Sequence, residues 1–392
     1  MQRNKLAATL AAVGLLAPSL AMATNGMVME GYGPIAAGMG GAAMAYDNGT
    51  AALANNPATL GLMANGSRLD VMLGFVGPDL ETSMGMGKSE ADAFYMPAIG
   101  YVKKQGNLVY GAGIYGQGGM GTEYASGDMA QVGVGRVIFP LAYSVNARFN
   151  IGGSVDVVWA GMDLVADLNA DGTKDIDFKD DSDFTGAAKG YSVAAKLGFT
   201  YRFNDALTVG GVYQTAANLP DLKDDDYKVT GFDMPAMLGL GLAWQASERL
   251  MVAADVKDVM WGSSMNTVTI TNPNNAPFDT VAFKQDWDDQ IVLALGLAYR
   301  FSDAFTGRVG YNHGKNPIPD QNVNYLWPAI MEDHYTAGFG YAFSKQSELN
   351  FGLSYVPEES VTGTGPTPPG GNGGMTIEHS QVNWQLMVSY KF

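Results

Sequence analysis

The sequence predicts an all-β protein: a fourteen-stranded antiparallel transmembrane β-barrel with an N-terminal plug inside its lumen. Three observations predict it. The last stretch, residues 382–392, alternates between large apolar and polar side chains. Thirteen further segments of comparable length are joined by connections that are alternately short and long. Residues 24–66 alternate nowhere, yet they are apolar and rich in small residues.

The closing stretch shows the strand pattern best. Val382, Trp384, Leu386, Val388, Tyr390 and Phe392 fall on one face, and Asn383, Gln385, Ser389 and Lys391 on the other. Met387 is the exception. Period-two alternation marks a strand with one apolar face. The same pattern recurs over residues 137–145, 191–203, 291–301 and 335–343. In these segments the second face is mostly Gly, Ala, Ser or a polar residue. The runs reach the ~9–11 residues that a tilted strand needs to cross a bilayer. Aromatics sit near their ends, as interfacial girdles require. The large residues are therefore assigned to lipid and the small or polar ones to a lumen. Composition agrees: 51 glycines, 19 tyrosines, 17 phenylalanines and 16% charged residues suit many strands around a crowded interior.

Strands are expected at 67–76, 93–103, 107–117, 135–148, 150–161, 187–203, 206–216, 235–246, 249–260, 289–302, 305–313, 333–344, 347–356 and 380–392. The number is even, as single-chain bacterial barrels need. Short turns lie at 104–106, near 150, and at 204–205, 246–248, 302–304 and 344–346. Long loops lie between the others, including 163–186, 261–288 and 357–379. Short turns belong to the periplasmic side and long loops to the exterior. The expected location is the outer membrane of a Gram-negative bacterium.

The N-terminus fits that location. Arg3 and Lys5, the apolar run 6–20, and Ala21-Met22-Ala23 read as a signal peptide, residues 1–23. The plug then covers 24–66 and the barrel 67–392. The absence of cysteine excludes a lipoprotein anchor, a disulfide framework and thiolate metal sites. A net charge of -16 argues against nucleic acid as a partner.

Residues 36–54 suggest short helical pieces, broken by Gly38, Gly40, Gly41 and Gly49, with Asn56-Pro57 ending the last. A segment this apolar belongs inside the barrel. With Gly31-Tyr32-Gly33-Pro34 before it and Asn56-Pro57-Ala58 at its end, this stretch resembles part of the FadL/TodX family of outer-membrane transporters for long-chain fatty acids and other hydrophobic compounds. The runs Gly31-Tyr32-Gly33-Pro34 and Gly38 to Ala42, then Asp47 and Asn56-Pro57-Ala58, resemble that family's hatch. Tyr115-Gly116-Gln117 through Tyr124 resembles the end of its third strand. Asn316-Pro317-Ile318-Pro319-Asp320-Gln321-Asn322 resembles its sixth external loop. The resemblance implies a plugged fourteen-stranded barrel. It also implies external capture of a hydrophobic ligand, a lumenal pocket near the mature N-terminus, and sideways exit through a kinked third strand.

On this reading Gly116, Gly118, Gly119 and Gly121 are candidates for the lateral opening, because glycine within a strand weakens pairing and marks bends. Met27, Val28 and Met29 are candidate ligand-binding residues, methionine being adaptable to varied apolar shapes. Met39, Met44 and Met63 are assigned to plug packing. Arg136 and Lys196, like Arg148, Arg202 and Arg300, are read as lumen-facing, since a charge on lipid would cost roughly 2–4 kcal/mol at the midplane. They would either neutralise a ligand carboxylate or pair with Asp156, Glu30 or Asp47, with Asp156–Lys196 the first such pair to expect.

Other motifs are weak. Asp167, Asn169, Asp171, Gly172 and Asp175 copy the start of a calcium loop, but the twelfth position is Phe178, not an acid. His313, His334 and His379 all map near external strand ends. No Gly-x-Ser-x-Gly occurs, and no enzyme activity, metal or cofactor is expected. The expected function is passive uptake of hydrophobic small molecules. A non-specific porin and a structural or adhesive surface barrel are the alternatives. Expected partners are outer-membrane lipid, lipopolysaccharide and, through the closing strand, the barrel-assembly machinery; the state is a monomer. The residues leave open whether the substrate is a fatty acid or an aromatic or alkane hydrocarbon.

Overall fold

Residues 66 to 391 supply fourteen long strands that follow the expected order. They are β1 (Gly66–Thr82), β2 (Phe94–Gln105), β3 (Leu108–Glu123), β4 (Met129–Ser144), β5 (Phe149–Ala166), β6 (Ala188–Arg202) and β7 (Leu207–Gln214). The ring continues with β8 (Met237–Gln245), β9 (Leu250–Val259), β10 (Gln290–Arg300), β11 (Phe305–Gly314), β12 (Asp333–Ala342), β13 (Ser347–Thr362) and β14 (Thr376–Lys391). The computed structural model describes residues 25–180, 185–366 and 372–392. The expected signal peptide, part of the acidic loop 163–183 and part of the Pro/Gly-rich stretch 363–374 lie outside the described residues.

Each strand pairs antiparallel with the next, and β14 returns to pair with β1 over Arg68–Lys391 to Thr82–Ile377. Ser67 N–H donates to the Phe392 carbonyl (2.6 Å), and Phe392 N–H donates back to Ser67 (2.9 Å). Closure removes both sheet edges. At this seam the ring of Phe75 stacks on Trp384 (5.5 Å) and tilts against Tyr95 (5.3 Å), an aromatic row across β14, β1 and β2.

The alternation assigned to lipid and lumen is the pattern observed. Leu293, Leu295 and Leu297 point out from β10, while Val292, Ala294 and Ala298 are buried within. Met387, the exception in the last strand, faces the lumen and packs into the cluster formed by the plug. Several strands outrun their expected bounds, notably β1, β3, β4, β5, β13 and β14. In β5 the extension is covered on both faces, so residues 160–166 are buried without alternation, whereas the extensions of β1, β13 and β14 still alternate. Six short strands inside the loops, such as Thr267–Thr271 and Thr280–Lys284, extend the sheet outward and were not foreseen.

Residues 25–65 occupy the lumen as three short helical pieces: α1 (Pro34–Ala37) and 3-10 turns at Gly49–Leu53 and Pro57–Leu62. The Asn56-Pro57 pair starts the last piece, whereas the sequence predicted an end. The proline holds Asn56 extended (φ -137°, ψ 105°), and Pro57 itself fits the first helical position. The Asn56 Oδ1 then accepts from Ala58 N–H (3.1 Å), and its Nδ2 donates to the carbonyls of Met44 (2.8 Å) and Phe199 (3.2 Å). One side chain thus caps the turn and ties the plug to β6.

The barrel wall receives the plug on glycines. A Cβ on Gly296 would lie 2.6 Å from the Met39 carbonyl oxygen, and one on Gly352 would lie 2.7 Å from that of Pro34. Gly152 meets the Ala58 backbone and Gly338 meets Gly38 in the same way; Gly210 and Gly310 would collide with Met44 and Gly40. Charged side chains complete the seat. Asp255 accepts from the N–H groups of Ala43 (2.6 Å) and Met44 (3.2 Å), and Lys257 donates to the carbonyls of Glu30 and Gly41 (both 2.8 Å). Near the periplasmic end, Asp70 accepts from Thr50 N–H (2.7 Å) and Lys104 donates to Gly61 and Met63. A Gly352→Val variant is expected to lose about 1–3 kcal/mol through overpacking against plug backbone. Thermal unfolding in detergent measures this, and an unshifted midpoint would show that the seat has slack.

Candidate ligand site and lateral gap

The plug leaves a cavity of about 30 Å³ against β3, β7, β8 and β9. Its apolar wall includes Val28, Met29, Met44, Met237 and Val259, and its polar wall includes Asn55, Gln117, Gln214 and Lys257. A second cavity of about 10 Å³ adjoins it, lined by Tyr115, Gly116, Arg136, Ile138 and Lys196. Tyr32, Ala54, Gln117 and Gln214 border both. A site of ~150 Å³ holds benzene, and about 10–15 Å³ holds one water. Entry of a hydrocarbon therefore requires side chains to move, and the methionines are the most pliable part of the wall.

Of the expected ligand-binding residues, Val28 and Met29 line this cavity. Met27 is fully buried in the apolar cluster that contains Trp261 and Trp287, not at the cavity surface. Met44, expected to be packing only, lines the cavity as well.

Beside the second cavity, the strand register brings β4, β5 and β6 side chains together. Asp156 is fully buried. It accepts from Arg136 Nη1 (3.0 Å), Lys196 Nζ (2.5 Å) and Ser154 Oγ (2.6 Å). Arg136 Nε donates to Gln117 Oε1 (2.5 Å), while its Nη2 is buried with no hydrogen-bond partner among the described residues. Two cations against one carboxylate leave this cluster one positive charge in excess. Arg148, Arg202 and Arg300 do not join it. All three are exposed at the periplasmic strand ends, where the alternation no longer selects a lumen face; Arg300 reaches the Glu248 carbonyl (2.7 Å).

Gly116, Gly118, Gly119 and Gly121 all lie within β3. The β3–β4 register slips between Gly116 and Gly118, so Gln117 is a bulge. Pairing of β3 with β2 ends at Ile99–Ile114. Beyond the gap, β3 is met by the segment before β2: Glu90 N–H donates to the Glu123 carbonyl (2.7 Å) and Glu123 N–H to Ser89 Oγ (3.0 Å). Between these points the wall has no β2–β3 ladder. Val28 of the plug bridges Gly118, and Tyr32 Oη donates to the Gln117 carbonyl (2.7 Å). Phe94 and Met96 of β2 fill the space. A Cβ on Gly121 would lie 2.6 Å from the Phe94 ring, and one on Gly116 would lie 3.4 Å from the Met96 sulfur.

The remaining motif residues sit elsewhere. Asp47 is exposed at the periplasmic end of the plug, accepting from Gly49 N–H (2.9 Å) with Arg68 at 3.8 Å. Pro57 and Ala58 are buried against β5. The calcium-like stretch turns its acids onto its own backbone: Asp167 accepts from Asp171 and Gly172, and Asp175 from Leu168. Sequence reasoning missed Tyr32, Phe94, Met96, Asp255 and Lys257. It also passed over Gln117, whose signal was a lone amide inside a glycine run.

The family model for outer membrane transport proteins of the OMPP1/FadL/TodX type matches residues 10–392. The chain belongs to this family. FadL/TodX proteins are transport proteins and not enzymes, and their barrel resides in the outer membrane of Gram-negative bacteria. The solved toluene transporter TodX of P. putida is 27% identical, with a TM-score of 0.79 over 93% of this chain and 99% of that one. The toluene transporter TbuX of Ralstonia pickettii is 26% identical, with a TM-score of 0.75 and the same coverage. A Pseudomonas aeruginosa FadL homologue, 14% identical, shares the fold (TM-score 0.76) over 94% of this chain and 100% of that one. Among curated relatives, the long-chain fatty acid transport protein of Escherichia coli K12 is 33% identical over 84 residues, 21% of this chain and 19% of that protein. An uncharacterised Chlorobium limicola protein is 38% identical over 101 residues, 25% of this chain and 49% of that one. The chain thus spans about half the length of the Chlorobium relative that it matches, and about a fifth of the E. coli one.

Proposed function

We propose that this FadL/TodX protein takes up hydrophobic small molecules, long-chain fatty acids or related hydrocarbons, down their gradient. A ligand captured by the external loops enters the cavity bordered by Val28, Met29 and Met44 and leaves sideways between β2 and β3. The observation that carries this reading is the interrupted β2–β3 ladder beside an apolar lumenal cavity. A lateral exit suits an apolar molecule, which then passes from protein to bilayer without crossing water. The glycine-seated plug argues against an open porin.

The spare Arg136 Nη2 favours a ligand with a carboxylate, which would find a charge-assisted donor there. The likeness to toluene transporters favours a neutral arene. Mass spectrometry of lipids and hydrocarbons retained by the purified protein decides between them, and a protein that retains neither would count against the pocket. In uptake, Gly121→Val should be slower than wild type, because the added methyls overpack the Phe94 ring by about 1–3 kcal/mol. Unchanged uptake in that variant would argue against the lateral route. Lipopolysaccharide around the external rim and the assembly machinery at the exposed Tyr390 and Phe392 are the partners that this reading includes, with a monomer as the working unit.

A further inference from the structure

We propose that Phe94 is a specificity-determining residue, setting the cross-section of the molecules that leave between β2 and β3. The inference rests on the lateral-release reading above. The height of the gap is fixed by backbone bonds: the Ile99–Ile114 pair below and the Glu90–Glu123 bond above. On β3, Gly116 and Gly121 have no side chain to move, so at these two positions the width is set by the β2 side chains packed against them.

Two of them face it, and they differ in stiffness. Met96 lies lower, against the Gly116 position, and its thioether bends out of a ligand's way. Phe94 lies higher and brings a rigid ring to the Gly121 position. Phe94 is 6% exposed, although its neighbour Tyr95 is 48% exposed on the lipid face. The ring is thus held inside the wall, not splayed into the bilayer. Gly121 is the counterpart that leaves a slot for it. A passing molecule must turn or displace that ring, so flat and narrow compounds pass more readily than bulky ones.

The test measures uptake of toluene and of phenanthrene, with oleate alongside, by cells carrying the full-length protein or its variants. Phe94→Ala should raise the phenanthrene-to-toluene uptake ratio by about tenfold, the scale on which apolar sites discriminate by size. Phe94→Leu should move the ratio the same way by less, with folding checked by the heat-dependent gel shift of the barrel. Phe94→Trp should lower it. A ratio unchanged in all three variants overturns the role of Phe94 and leaves the uptake reading standing. A wild-type protein that takes up oleate but neither arene overturns the role of Phe94 alone, and one that takes up none of the three overturns both.

Discussion

Replacing Asp156 with alanine is expected to destabilise the barrel by about 3–5 kcal/mol, the usual cost of stranding buried charges without their partner. Asp156 accepts from both Arg136 and Lys196, so its loss leaves two buried cations, on the strands either side of β5, with no carboxylate between them. Ser154 loses its acceptor in the same step. Asp156→Asn keeps the shape and one acceptor but not the charge, and should fall between wild type and alanine. Denaturant titration of the detergent-solubilised protein measures the difference. A loss below about 1 kcal/mol would mean that water reaches both cations, as it does in exposed pairs.

Deleting residues 24–65 should produce the largest functional change. The intact plug fills the lumen on glycine seats and is held by Asp255, Lys257, Asp70 and Lys104. Without it, a fourteen-stranded ring encloses more space than wall side chains can fill, since already at eight strands the interior is just filled. Planar-bilayer recordings should show stepwise, porin-like conductance that the intact protein lacks. Uptake of toluene or oleate at low concentration should fall to the level of cells without the protein, because Val28, Met29 and Met44 leave with the plug. An intact protein that conducts as well as the deletion would favour the porin reading. Specific uptake that survives the deletion would place the binding site outside the plug.

Much of this architecture can be read from the chain because the bilayer imposes one rule on every strand. Residues 291–301 and 382–392 alternate since lipid lies on one side and a crowded lumen on the other. The rule lapses at the rims. The external extension at residues 160–166 is covered on both faces, so its end was not legible. It lapses again at the periplasmic turns, where Arg148, Arg202 and Arg300 continue the alternation in sequence but are exposed. Within the site, opposite charges facing each other made Asp156 and Lys196 readable across two adjacent strands. The glycines of β3 were readable as a weakness in pairing. Tyr32 and Gln117 were not, because the bond joining them runs from side chain to backbone across 85 positions. Phe94 was not, because its slot is a property of Gly121 on another strand.

The glycine seat also bears on how such a channel can be altered. At Gly296, Gly310 and Gly352 any side chain meets plug backbone, so substrate range has little room to change through the wall itself. The freedom lies where side chains meet side chains: the first residues of the plug, the methionines around the cavity, and Phe94. A designer seeking a new cargo would hold the seat constant and vary that short set. The barrel then serves as a fixed chassis, and the tunable part is a small cartridge that most of the chain exists to hold still.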